Sequence, residues 1–350
     1  MKKLALLVLT GALCGAAVAS IAYTRVHEPF RAYTVAEQTV EIPRGAETST
    51  IGEQLVTAGV IRDRLAFRVA LWLSGHDRRL QAGEYRFDRP MSALEVLDKI
   101  ARGEVVLLTL TFPEGLTIPE MAGVFESNGF GAAGDFITAA RNRALVEAID
   151  PAATDLEGYL FPDTYAFPRG TDATGVVRQM VDRFGQILTP ELRDAGRARG
   201  LSVRELVTLA SLVEKETARA DERSTVAGVY ANRLRIGMGL QCDPTVIYAL
   251  ERAGKFDGNL RRADLTFDSP YNTYLHPGLP PGPIAAPGRG SLEAAARPAQ
   301  VDYLYFVSRN DGSHEFARTL AEHNRNVQKY QLQYFRDLRR RERAVSVPPI

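Results

Sequence analysis

Cysteine is nearly missing from this chain, with only Cys14 and Cys242 in 350 residues. No CxxC pair exists, and Cys14 lies in the apolar N-terminal segment. A thiol metal site, a redox pair and an intramolecular disulfide are therefore all unexpected. An excess of one charge is missing too: 43 Lys and Arg face 42 Asp and Glu, a net charge of +1. That balance lacks the basic footprint of a nucleic-acid binder, so no nucleic-acid partner is expected. The one charge run, Arg339-Arg340-Arg341-Glu342-Arg343, falls at the extreme C-terminus and reads as a solvated tail. GxxxxGK[ST], GxSxG and HExxH are all absent. The five histidines, His27, His76, His276, His314 and His323, show no ligand spacing. No metal and no cofactor are expected. A metal-free acid/base enzyme and a non-catalytic binding module both remain open.

What is present is ordinary globular composition, 45% hydrophobic and 24% charged, in a chain long enough for two or three domains. There is a single long uncharged run, Leu4 to Tyr23, behind Lys2 and Lys3. As a helix it covers about 30 Å, one hydrocarbon core. Ala17-Val18-Ala19 offers a signal-cleavage site, but the apolar run continues past it through Ile21, Ala22 and Tyr23, which favours an uncleaved anchor. Leu13 before Cys14 spoils a lipoprotein box. The expected topology is a short cytoplasmic stub, one span and a body outside the cytoplasmic membrane. Arg25 and Arg31 follow the span as Lys2 and Lys3 precede it, so the flanking charges orient it only weakly.

Two stretches read alike. Val40-Glu41-Ile42-Pro43-Arg44-Gly45 followed by Thr50-Ile51-Gly52-Glu53 is matched by Leu110-Thr111-Phe112-Pro113-Glu114-Gly115 followed by Thr117-Ile118-Pro119-Glu120. Each predicts a strand, a Pro-x-Gly turn, and a helix opened by a Thr-x-x-Glu capping box and closed at Gly59 or Gly129. Ala82–Phe87 alternates as a strand, and Ser92-Ala93-Leu94-Glu95 opens a helix to about Arg102. Residues 38–105 thus read as a small α+β module. Strand–helix–helix–strand units of this kind include the LysM type, which binds N-acetylglucosamine polymers; a spacer reads equally well. The stretch Glu157–Pro168 carries four aromatics in nine residues, broken by two prolines, which excludes a regular helix. Core plugging is the plainer reading of those rings and sugar stacking the sharper one.

Ser202-Val203-Arg204-Glu205 is another capping box, opening a helix to about Thr217. At 100° per residue Leu206, Ala210, Val213 and Thr217 form one core-facing stripe, Lys215 points away, and Glu214 and Glu216 occupy the two shoulders. A carboxylate beside apolar side chains loses solvation of its charged form, so its pKa rises, as a general acid at neutral pH requires. On spacing alone, a pair of surface glutamates at a fraying helix end, near Lys215 and Arg219, is the better reading.

The stretch Leu209-Ala210-Ser211-Leu212-Val213-Glu214-Lys215-Glu216-Thr217-Ala218 changes that balance, because it resembles the YceG-like family of endolytic murein transglycosylases. The resemblance continues in order through Asn232-Arg233-Leu234, Gly239–Tyr248, Ser269-Pro270-Tyr271-Asn272-Thr273-Tyr274, Gly278–Ile284, Tyr303–Val307 and His323-Asn324. It also takes in Glu157–Tyr165, the N-terminal anchor and the LysM-like module, and so spans nearly the whole chain. Cys242 stands where relatives carry Thr or another residue, and no chemistry is attached to it.

The resemblance implies an α+β protein. Its parts are a stub and transmembrane helix (1–30), a LysM-like α+β module (38–105), a second strand–helix repeat or linker (106–156), a larger α+β catalytic domain (157–334) and a charged tail (335–350). It implies a lyase that breaks the MurNAc-β-1,4-GlcNAc bond inside nascent glycan strands, leaves a 1,6-anhydro end and terminates elongation. Glu216 is then the catalytic acid/base. Glu214, Thr217, Asn232, Gln241, Asp243, Thr245, Tyr271, Asn272 and Tyr274 are expected to bind substrate or support the site. Tyr248 and Tyr305 have core packing as their bland alternative. The implied partners are peptidoglycan strands, the cytoplasmic membrane and peptidoglycan synthases (penicillin-binding proteins). The implied setting is the periplasmic face of the inner membrane, with a single pass. A muramidase using Glu216 with Asp243 or Glu214, and a non-catalytic peptidoglycan scaffold, are the alternatives.

Overall fold

Helix starts are where this sequence acts most locally. Ser92/Glu95, Thr117/Glu120, Ser202/Glu205 and Thr319/Glu322 each form both reciprocal bonds of a capping box. The box expected at Thr50/Glu53 does not form. Its helix starts earlier, at Thr48, behind Glu47, whose side chain makes no cap bond. The cause is the turn before it: Ala46 N–H donates to the Pro43 carbonyl (3.2 Å) and delivers the chain into helix ahead of Thr50. Gly59 and Gly129 both take φ near +70° one residue past a helix cap (φ 72° and 75°), the left-handed geometry that ends a helix.

The computed structural model describes residues 2–336. The Arg339–Arg343 run, and the expected tail beyond residue 336, lie outside the described residues. The chain forms two compact units, one of residues up to Thr109 with Ala166–Thr171, the other of Leu110–Tyr165 with residues from Asp172 onward.

The first unit runs α1 (Lys2–His27), β1 (Gln38–Ile42), α2 (Thr48–Thr57), α3 (Arg64–Ser74), β2 (Gly83–Phe87) and α4 (Ala93–Ala101). β1 and β2 pair antiparallel, with Val40 opposite Tyr85 and Ile42 opposite Gly83. Val40, Ile42, Tyr85 and Phe87 bury one face of that ribbon against Leu55, Phe67, Ala70, Val96, Leu97 and Ile100. Among the described residues, α1 is the one helix long and apolar enough to cross a membrane, over Leu9–His27. It continues past Tyr23, so its last turn belongs to the core: Val26 is fully buried and Arg25 pairs with Asp63 at 2.6 Å.

β3 (Leu107–Thr111) leads into the second unit, and β4 (Thr164–Pro168), paired with it, leads back. The second unit contains α5 (Ile118–Ser127), α6 (Ala133–Ala140), α7 (Ala173–Ile187), α8 (Pro190–Arg197), α9 (Val203–Glu216), α10 (Arg223–Arg235), α11 (Asp243–Arg252) and α12 (Arg289–Ala296). The hairpin β5 (Tyr305–Ser308) to β6 (His314–Ala317) and α13 (Leu320–Val327) follow. α9 is its axis, packed by α8, α10, α11 and α12. The single expected stripe is a correction: all of Leu206 to Val213 is buried, Thr208 and Ser211 included. The covering side is α12, whose Ser291, Ala294, Ala295 and Ala296 are small enough for close approach. Ser211 stays satisfied by donating to the Thr208 carbonyl (2.8 Å) and accepting from Ile284 N–H (3.1 Å). The rings of Tyr159, Phe161, Tyr165 and Phe167 are all buried. Tyr159 crosses Phe184 edge-on at 5.3 Å and donates to Asp150 at 2.6 Å.

Candidate active site

α9 stops at Thr217, which turns extended (φ −138°, ψ 128°) and accepts the Arg219 amide on its hydroxyl (3.1 Å). That stop leaves Glu214 and Glu216 in the last helical turn with quite different neighbours. Glu214, its side chain 6% exposed, accepts the Gly288 N–H (2.9 Å), at the start of α12, and pairs with Arg223 (3.4 Å). Arg223 also holds Glu114 at 3.1 Å. Glu214 thus lies in a cluster with Arg223, Glu114 and the Gly288 amide that fastens three segments. Lys215, exposed, donates to the Gly115 carbonyl (3.1 Å).

Glu216 meets neutral donors. Its Oε2 receives the Tyr230 hydroxyl from α10 (2.9 Å) and the Cys242 thiol from the turn before α11 (3.5 Å). Oε1 has no hydrogen-bond partner among the described residues, so it is the oxygen left free to meet a substrate. Burial pushes the Glu216 carboxyl above its ordinary range and outweighs the two donors and the nearby His314, which pull it down; Asp243 adds to the rise. Tyr230 and Cys242 are pushed far up, chiefly by burial, and so remain protonated donors. A carboxyl whose protonated form is favoured by burial, with one oxygen held and the other without a partner, is equipped to give up a proton and take it back.

The residues around it hold this arrangement in place. Gln241 takes a left-handed backbone (φ 49°), uncommon for a residue with a side chain, and its N–H donates to the Thr273 carbonyl (3.2 Å). The Cys242 N–H donates to Thr273 Oγ1 (3.0 Å), while Thr245 Oγ1 donates to the Cys242 carbonyl (2.7 Å). Asp243 and Thr245 lie in the first turn of α11. Asp243 accepts the Tyr274 hydroxyl at 2.5 Å. Asn272 is buried and ties its own loop by donating to the Leu265 and Phe267 carbonyls (3.0 and 2.8 Å). Asn232 donates to the Val301 and Tyr303 carbonyls (2.7 and 3.1 Å). Its neighbour Arg233 binds the Leu304 and Leu240 carbonyls, each at 2.6 Å. Tyr271 packs on Tyr248 at 5.0 Å.

Glu216, Asp243 and Tyr274 are therefore brought into one neighbourhood. Thr245, Asn232 and Asn272 spend their polar groups on internal bonds, and Thr217 and Glu214 on the end of α9 and its supports. Gln241 is exposed beside them. Reading the sequence missed Tyr230 and left Cys242 without a role. Tyr230 sits four residues past Val226 and three before Arg233 on α10, a placement that gives no local sign of a partner on α9. Among the described residues no cluster of His, Cys, Asp and Glu is arranged to hold a metal ion.

The YceG-like family profile matches residues 40–329. The chain is 33% identical over 307 residues to a Bacillus subtilis protein named endolytic murein transglycosylase, covering 83% of this chain and 84% of the relative. It is likewise 33% identical over 321 residues to the Streptococcus pneumoniae D39 protein of the same name, covering 83% of this chain and 57% of that longer relative. A crystal structure of a YceG-like protein from Listeria monocytogenes superposes with a TM-score of 0.57 at 32% identity, covering 83% of this chain and 98% of the other.

Proposed function

This chain belongs to the YceG-like family, and from that premise we propose that it is a peptidoglycan lytic transglycosylase with Glu216 as its single acid/base. The observation that carries the reading is the Glu216 carboxyl, raised by burial and held through Oε2 by two neutral donors while Oε1 stays open. Oε1 gives its proton to the glycosidic oxygen as the C1–O4 bond breaks between MurNAc and GlcNAc. The resulting carboxylate takes the proton of the muramyl C6 hydroxyl as that oxygen closes on C1. The bond broken is replaced by the 1,6-anhydro bond, Glu216 ends protonated, and no water is consumed. Ordinary glycosidases need a second carboxylate to act as nucleophile or to activate water. Here the nucleophile is already tethered to the reacting sugar, and that effective concentration substitutes for the second group.

The finer parts of the reading concern place and purpose. The α1 segment anchors the protein in the cytoplasmic membrane, with the chain that follows it on the periplasmic side. The β1-α2-α3-β2 order of the first unit supports a LysM-like contact with glycan. Cutting inside nascent strands ends their elongation beside the synthases that make them. Digestion of purified glycan strands by the full-length protein, with mass spectrometry of the products, tests the reaction. Anhydromuramyl ends are expected. Reducing muramyl ends point to a hydrolase instead, and sacculus binding without released fragments leaves only a scaffold.

A further inference from the structure

At the far end of α11 from the Glu216 site, the second unit contains a cavity of ≈ 540 Å³. Its lining includes Glu120 of α5, Arg141, Asp155, Glu157, and Tyr248, Glu251 and Arg252 of α11. Glu157 is buried there, accepting the Ile118 N–H (3.2 and 3.3 Å to its two oxygens) and the Tyr248 hydroxyl (3.3 Å). Burial pushes its carboxyl up to about 8, so near neutral pH it stays uncharged and can both donate and accept.

Among the described residues the two arginines of this wall, Arg141 and Arg252, make no ion pair. Arg183, Arg204, Arg219 and Arg223 each pair with a carboxylate. Arg252 has none within ion-pair distance: it donates to the Tyr248 hydroxyl (3.2 Å) and lies over the rings of Tyr248 and Tyr271 at 5.6 and 5.5 Å. Two guanidiniums without an ion-paired acid, Arg252 feeling only the more distant Asp155, suit a carboxylate ligand. Across the same cavity Glu120 and Glu251 lie close enough that Glu120 adds to the burial that raises Glu251, and a cation between them relieves that repulsion.

The cavity also lies within range of the reacting centre. Asp243, near enough to Glu216 to perturb it, begins α11, and Arg252 ends it about 13 Å further on at 1.5 Å per residue. Lys215, the neighbour of Glu216 in the chain, is near enough to Glu251 to pull its carboxyl down.

We infer that this cavity binds the peptide stem carried by muramyl sugars, its carboxylates at Arg141 and Arg252, its side-chain amine between Glu120 and Glu251, and its amides at Glu157. This rests on the reading of the protein as a peptidoglycan lyase. The test uses the full-length protein in detergent with two substrates: strands bearing peptide stems, and the same strands stripped by an amidase. The wild type is expected to favour stemmed strands in kcat/KM. Arg141→Glu and Arg252→Ala should each lower the stemmed-to-stripped ratio by about ten-fold, the worth of a lost charge-assisted bond. General damage to the fold lowers both rates and leaves the ratio unchanged, which overturns the inference, as does a wild type with no preference. If neither strand yields anhydro ends, the lyase reading fails, and titration with the free stem tetrapeptide decides the cavity by itself. Saturable binding lost in Arg141→Glu supports it, and absence of saturable binding in the wild type overturns it.

Discussion

Glu214 and Glu216 leave the same turn of α9, two residues apart, and end in opposite surroundings. Glu214 is answered by a cation and a helix-start amide, in a cluster that also contains Glu114. Glu216 is answered by a phenol and a thiol, with no ion pair. The work of Glu214 is to hold α9, α12 and the Glu114 turn together. Burial raises the Glu216 carboxyl against the pull of its two neutral donors, and one of its oxygens is left without a partner among the described residues. The difference between the two surroundings is therefore set by what α10, α11 and α12 bring to each side chain, since composition and helix position are almost the same.

The largest effect that bears on this contrast is Glu216→Gln. The amide keeps the shape and can still bond with Tyr230, but it cannot cycle a proton. General acid–base catalysis contributes about 10²–10⁴-fold, so turnover should fall at least that far while glycan binding survives. Circular dichroism should show the helix intact, because Gln and Glu have similar helix propensity. Near-parental production of anhydromuramyl ends by this variant would remove Glu216 from the chemistry.

Glu214→Gln should act on the other quantity, stability. Removing one partner of a buried pair typically costs about 3–5 kcal/mol because a charge is left uncompensated. Here Arg223 keeps Glu114 and the amide oxygen can still accept the Gly288 N–H, so a loss of about 1–3 kcal/mol is expected. The denaturation midpoint should drop while turnover per folded molecule stays close to the parent. A variant of unchanged stability that makes no product would reverse the two assignments.

How far this contrast can be read from sequence depends on the range of the interactions. The capping boxes at Ser92, Thr117 and Ser202 are complete within four residues, so they are legible; the Thr50 box fails because the preceding turn, outside its four residues, starts the helix sooner. The apolar stripe of α9 is legible, but its burial on the remaining side is not, because Thr208 and Ser211 look like a wet face until the small residues of α12 cover them. The motif segments around Asn232, Gln241, Tyr271 and Tyr303 are recognisable by resemblance, and the structure gathers them through bonds such as Asn232 to Val301 and Cys242 to Thr273. The donors that define Glu216 arrive from fourteen and twenty-six residues away, and their convergence on a single oxygen depends on the left-handed turn at Gln241. No local pattern encodes that.

The smallest effects, and the sharpest for the mechanism, belong to those two donors. The Tyr230 bond lowers a carboxyl that burial raises, so Tyr230→Phe should let Glu216 rise further. The proposed mechanism needs the protonated acid at the start of the reaction, so activity is expected below that pKa and is lost as pH rises through it. The alkaline limb of the kcat–pH profile should therefore move to higher pH, by about one unit if the bond is worth about 1.5 kcal/mol. Stability should respond with a matching sign. A carboxyl raised in the folded state contributes most below its unfolded pKa and loses that contribution as pH climbs through the folded value, so the variant should fade more steeply with rising pH. Cys242→Ala removes a weaker donor at longer range and should shift the limb in the same direction by less. Shape is conserved in the first variant and nearly so in the second, so both profiles can be compared with the parent on one substrate. A limb that moves toward acid in Tyr230→Phe, or one that moves further in Cys242→Ala than in Tyr230→Phe, would mean that these two groups do not hold Glu216 through Oε2 in the working enzyme.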